Sequence, residues 1–175
     1  MVSDGSASKV TFRAVEPGDL PAIRDLHARA FGPGRFTRTA YRIREGTGAF
    51  SPFCRVCIID ERVVAAVRFT QIVIGGKAGA LLLGPLAVDP AFANQGYGRS
   101  LVANALEEAR AGGICLVVLV GDEPYYGKLG FRRVPAGKIT LPGPVDPNRL
   151  LVAELMPDAL ASYGGMVAAD PAART

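Results

Sequence analysis

The stretch AFANQGYGRSLV, residues 91–102, decides how the chain is read. It places two glycines and several polar residues between apolar runs. Before it, GALLLGPLAVDP reads as a strand; after it, RSLVANALEEARAGG reads as a helix. Leu101, Val102, Ala105, Leu106 and Ala109 repeat at helical spacing, and Gly112 and Gly113 stop the helix. ICLVVLVG follows, continuous and apolar, as a strand buried on both faces is. A strand, helix and strand of these lengths predict parallel pairing through a right-handed crossover.

The turn itself carries Gly96, Tyr97 and Gly98 at the helix start, with Arg99 behind them. A helix start bares N–H groups and a partial positive charge. Glycines there let a ligand reach the backbone, which makes a cradle for phosphate. An ordinary strand-to-helix turn would use the same residues. Two familiar phosphate motifs fail on spacing. The dinucleotide fingerprint needs a small residue where Leu101 stands, and the P-loop needs Gly-Lys where Gly98 and Arg99 stand.

Upstream, KVTFRAV alternates like a strand, and residues 16–31 read as a helix. Pro17 lies near that helix's start, and Leu20, Ile23, Leu26, His27, Ala30 and Phe31 share one face. TRTAYRIREG predicts a short helix closed by Gly46. FCRVCIID and RVVAAVRFTQIVI predict a hairpin about Glu61. Pro85 cannot donate a ladder hydrogen bond, so the third apolar run is expected to carry a bulge there. Downstream, EPYYGKLG predicts a short helix, and FRRV and RLLVAELM predict strands, with LPGPVDPN a loop. The expected architecture is α/β, with a mixed, mostly antiparallel central sheet flanked by helices. Residues 9–163 are expected to form one domain, residues 1–8 a flexible N-terminus, and residues 164–175 a tail or short extra strand.

Composition narrows the function. Apolar residues make up 49% of the 175 and charged residues 21%, ordinary for a folded soluble chain. No apolar run reaches the roughly 18 residues of a membrane helix, so no membrane partner is expected. MVSDGSASKV lacks the apolar core of a signal peptide, so a cytoplasmic location is expected. The net charge of +4 suits an anionic small ligand. Without an aromatic-and-basic signature it does not call for nucleic acid. Cys54, Cys57 and Cys115 are odd in number, and CRVC has no second ligand pair, so neither a disulfide framework nor a metal is expected.

LAVDP, the glycine turn and YYGKLGF, in that order and spacing, resemble the GNAT family of acyl-CoA-dependent N-acetyltransferases. The likeness is densest over residues 83–134. The family's turn reads Gln/Arg-x-x-Gly-x-Gly/Ala; here Ala93, Gly96 and Gly98 stand at those positions, so the first departs. The resemblance implies a splayed parallel strand pair and a diphosphate cradle of Gln95, Gly96, Tyr97, Gly98, Arg99 and Ser100. It implies that Leu86, Ala87 and Val88 hold the pantetheine arm, with the Val88 N–H stabilising the oxyanion. It also implies that Tyr126, five residues before Phe131, protonates the leaving thiolate, with Tyr125 the less favoured neighbour. The implied co-substrate is acetyl-CoA and the implied partner an amine-bearing acceptor.

No general base stands out. Asp122 and Glu123 are also what a solvated turn carries, and His27 suits a core position. Direct attack in a ternary complex is expected, because Cys115 lacks a neighbouring base. Arg38 and Arg42, four apart on one helix face, are the candidate acceptor contacts, although a charge run is more often a solvated face. The rival function is a non-catalytic CoA or acyl-CoA sensor. The sequence is compatible with a homodimer.

Overall fold

A computed structural model describes residues 8–31 and 39–173. Residues 1–7, residues 32–38, which include Arg38, and residues 174–175 lie outside the described residues. β1 (Val10–Ala14) leads through a single 3-10 turn at Pro17–Asp19 into α1 (Leu20–Phe31). Glu16 and Asp19 cap that turn reciprocally, and Arg13 holds Asp19 through two hydrogen bonds of 2.7 and 2.9 Å. Leu26 of α1 is fully buried and His27 half-buried, but Ala30 is exposed, so the apolar face is shorter than the sequence pattern implied.

After α2 (Thr39–Arg44) come three antiparallel neighbours: β2 (Arg55–Ile59), β3 (Arg62–Ile74) and β4 (Lys77–Val88). Asp60 and Glu61 both take positive φ, the backbone that a two-residue hairpin turn demands. α3 (Tyr97–Ala111) then crosses to β5 (Leu116–Val120), which lies parallel to β4. α4 (Glu123–Tyr126), β6 (Arg132–Arg133), β7 (Ile139–Thr140), β8 (Leu150–Glu154) and β9 (Gly165–Ala169) complete the described elements. The main sheet runs β1-β2-β3-β4-β5-β8-β6, with β4-β5 parallel and its other pairs antiparallel. β9 pairs with the far end of β3, and β7 runs parallel to β9. The fold is therefore a mixed, mostly antiparallel α/β sheet with flanking helices.

Two layers of core meet on this sheet. On one face Leu101, Val102, Ala105 and Ala109 of α3 pack against Val67, Phe69, Leu81 and Val117. On the other, α1 sets Leu26 against Cys54, Val56, Ala66 and Ala87. Cys54 sits just before β2, where its Sγ accepts the Phe69 N–H at 3.3 Å. Burial pushes the Cys57 thiol up to about 11. Both cysteines serve the core. Among the described residues no three His, Cys, Asp or Glu side chains gather as a metal site. Among the same residues no helix is long and apolar enough to cross a membrane.

Candidate active site

The site begins with a change of pairing along β4. Ala80, Leu81 and Leu82 pair with Leu116, Val117 and Val118 of β5, and the ladder stops there. Beyond it, β4 carries an extra residue relative to β3: Phe69 faces Leu83 while Val67 faces Leu86. Gly84 and Pro85 fill this bulge, where the expected missing donor falls. The bulge reverses the alternation of the strand. Leu81 and Leu83 face α3 before it, and Leu86 and Val88 face α3 after it. Arg44, buried on α2, donates from Nη1 to the Gly84 carbonyl at 2.7 Å and so fixes the bulge from the opposite face.

Alternation also settles which peptides are bare. The Asp89 N–H bonds the Val64 carbonyl of β3 at 2.8 Å. Neighbouring residues in a strand point their peptide groups to opposite edges. Ala87 therefore turns its N–H and C=O to β3, and Leu86 and Val88 turn theirs toward the gap where β5 has diverged. Of the three residues expected to hold pantetheine, Leu86 and Val88 present backbone groups. Ala87 presents none and buries its methyl under α1.

Asp89 locks the exit from β4. It is 4% exposed, accepts the Ala91 N–H at 2.9 Å, and pairs with Arg29 of α1 at 3.1 Å. The chain then turns to Gly96, which caps α3 in the left-handed region at φ 86°. No side chain caps this helix, and no acid lies in its first turn. The first helical bond runs from the Ser100 N–H to the Gly96 carbonyl at 3.0 Å. The N–H groups of Tyr97, Gly98 and Arg99 thus have no helical acceptor, which leaves them for an anion. Ser100 spends its N–H inside the helix and offers only a hydroxyl. Gln95 is exposed and leans back on the Ala91 carbonyl.

Gly98 shows why this turn needs a bare backbone. A Cβ there would lie 2.9 Å from the Tyr125 hydroxyl and 3.0 Å from Val88 Cγ2. The helix start, the Leu86 and Val88 side chains of β4 and the Tyr125 hydroxyl therefore converge on one point. Arg99 lies with its guanidinium 5.2 Å above the Tyr125 ring, and its Nε is buried without a hydrogen-bond partner. That orphaned donor, the free amides and the crowded Gly98 fit a diphosphate-bearing ligand.

The two phenols differ. The Tyr126 ring packs against Gly121, Leu119 and Phe131, and its centroid lies 4.8 Å from that of Tyr125. Burial, with Tyr125 and Asp122 nearby, pushes its hydroxyl up to about 12. Burial also raises Tyr125, while Arg99 pulls the other way. The sequence singled out Tyr126; the hydroxyl that reaches the helix start belongs to Tyr125. Asp122 pairs with Arg149 and Glu123 with Arg133, so both carboxylates are engaged in ion pairs. Arg42 is exposed on α2, and Arg38 lies outside the described residues.

The model of the acetyltransferase (GNAT) family matches residues 20–131, well over half the chain. The uncharacterized N-acetyltransferase YhbS of Escherichia coli K12 is 29% identical over 153 residues, covering 86% of this chain and 90% of its own. YjhQ, an uncharacterized N-acetyltransferase of the same strain, is 28% identical over 124 residues, covering 69% and 68%. The crystal structure of E. coli YhbS in complex with CoA superposes with a TM-score of 0.80 at 28% identity, covering 94% of this chain and 91% of that one. A GNAT acetyltransferase from Brucella melitensis, in complex with acetyl-CoA, gives 0.70 at 25% identity, covering 94% and 97%. The fold, the opened parallel pair and these relatives together make this chain a member of the GNAT acetyltransferase family.

Proposed function

We propose that the protein transfers an acetyl group from acetyl-CoA to an amine, by direct attack with both substrates bound. The observation that carries this reading is the convergence at Gly98: the helix start with its unsatisfied amides meets the Leu86 and Val88 side chains of the unpaired half of β4 and the Tyr125 hydroxyl. Bound acetyl-CoA would supply the acyl group as a thioester. The N–H groups of Tyr97, Gly98 and Arg99 hold its diphosphate, and Arg99 adds a full charge through the Nε that has no other partner. Leu86 and Val88 pair with the amides of the pantetheine arm as a strand would.

The Val88 N–H points into the gap, where it stabilises negative charge developing on the carbonyl oxygen. Tyr126 receives the departing sulfur. Its hydroxyl, held near 12, stays protonated across the working range and donates throughout. An alkyl thiol is a stronger acid than a phenol held near 12, so full transfer runs uphill and Tyr126 holds the charge by hydrogen bond. The proton lost from the amine is the one that sulfur finally gains, relayed by water or by the phenol pair. Asp122 and Glu123 are engaged by Arg149 and Arg133, so neither is assigned to the relay.

The reading is tested in two steps. Calorimetry with CoA should give a saturable heat, and acetyl-CoA with a panel of amines should release free thiol. Heat without thiol release from any amine would favour a CoA sensor. Absence of heat would remove both readings.

A further inference from the structure

A cavity of about 210 Å³ lies under α1, on the face of the sheet opposite α3. Its walls include Leu20, Ile23, Arg24, His27, Phe50 and Arg68, and among the described residues no acidic one lines it. The volume equals the liquid share of about seven waters, enough for a small organic body. Its floor on β3 includes Ala66, whose strand partner is Ala87 of β4. The cavity therefore lies one strand away from the bare edge of β4, roughly 5–10 Å given strand spacing.

Arg68 is the unusual member. It faces the Gly84–Pro85 bulge, and Nη2 donates to Thr47 Oγ1 at 3.0 Å and to the Gly48 carbonyl at 2.9 Å. Burial lowers its pKa, yet a guanidinium remains charged. Among the described residues no carboxylate pairs with Arg68 or with Arg24. Buried charges in folded proteins are ordinarily paired. Here a partly buried cation is oriented by neutral acceptors, with a second arginine at the rim and an apolar body of space between.

We propose that this cavity seats the acceptor, and that the acceptor is a small amine whose apolar body ends in a carboxylate received by Arg68 and Arg24. The apolar walls take the body, and the amine extends across β4 toward the Val88 peptide. The inference rests on the acyltransferase reading for the fate of the amine, but the recognition of the carboxylate stands on the cavity itself. In this proposal Arg68 and Arg24 are the selective contacts, alongside the expectation placed on Arg38 and Arg42.

The test compares acids with their amides on the whole chain. 6-Aminohexanoate and 6-aminohexanamide probe a long separation of amine and carboxylate; leucine and leucinamide probe a short one. Each is titrated calorimetrically into CoA-saturated protein, and thiol release from acetyl-CoA is followed in parallel. At least one acid should bind tenfold or more tightly than its amide, with a matching difference in KM. Arg68→Gln, which keeps a donor for Thr47 and Gly48, should abolish that preference and leave CoA affinity unchanged. Arg24→Gln, at an exposed position that does not endanger folding, should reduce it at least threefold. Equal affinity for acid and amide in both pairs, or no binding of any of the four, would overturn the proposal. So would a preference untouched by either substitution. If CoA gives no heat while the acids still bind selectively, the function proposed above falls and the anion-receiving cavity remains.

Discussion

The two halves of β4 share one strand and behave oppositely. Residues 80–82 are paired on both edges and 0–2% exposed. Residues 86–88 are paired on one edge only, and Leu86 and Val88 are half-buried. Between them stand Gly84 and Pro85, whose extra residue re-aims every side chain that follows. The first half does the work of stability, because every peptide group and side chain there is satisfied within the protein. The second half leaves its outward peptide groups unpaired within the sheet, and an unpaired N–H or C=O is costly unless something outside the sheet bonds it. The proposed site lies where the fold stops completing its own hydrogen bonds.

That contrast can be broken in several ways. Leu82→Ala strikes the closed half, where the side chain is fully buried. Chemical denaturation should show a loss of about 3 kcal/mol, whereas Leu86→Ala, which keeps the peptide group that faces the gap, should cost far less stability. A similar stability loss at both positions would erase the distinction. Tyr126→Phe should lower kcat about a hundredfold with the CoA dissociation constant nearly unchanged in steady-state kinetics and calorimetry. A larger loss in Tyr125→Phe would move the donor to the phenol beside the helix start. Gly98→Val forces a side chain between Tyr125 and Val88. The clash should raise the CoA dissociation constant about tenfold, equivalent to about 1.4 kcal/mol, while far-ultraviolet circular dichroism stays close to that of the parent.

Asp19 supplies a control distant from the gap. Hydrogen bonding from Arg13 lowers its pKa, so its contribution to stability is full above the unfolded carboxylate value of about 3.9 and is lost as pH falls through the lower folded value. Asp19→Asn should cost about 1 kcal/mol near pH 7. The difference from the parent should shrink as the pH falls below about 4. CoA binding should be indifferent to the change; coupling to it would show that the cap of α1 reaches the site.

Much of this was legible in the sequence because its signals are local. Residues 101–109 repeat at helical spacing, ICLVVLVG reads as a buried strand, and Pro85 announces a break in β4 through its missing N–H. The glycine turn marked the helix start for the same reason: a bare backbone leaves a composition signature. β7 was missed, since two residues, Ile139 and Thr140, carry no period of their own and pair only with a strand 26 residues later. The reach of Tyr125 to Gly98, the grip of Arg44 on Gly84 and the cavity around Arg68 were illegible. Each joins residues at least 20 positions apart, and only the closed sheet brings them together. Even Asp89, plain in LAVDP, gave no hint that it ties α1 to the turn through Arg29.

Hydrogen exchange with and without saturating CoA tests the central contrast most directly. The account predicts added protection at the amides of Leu86, Val88, Tyr97, Gly98 and Arg99, with no change at Ala80, Leu81 or Leu82. Unchanged exchange at those five amides under saturating ligand, or protection spread evenly along β4, would contradict it.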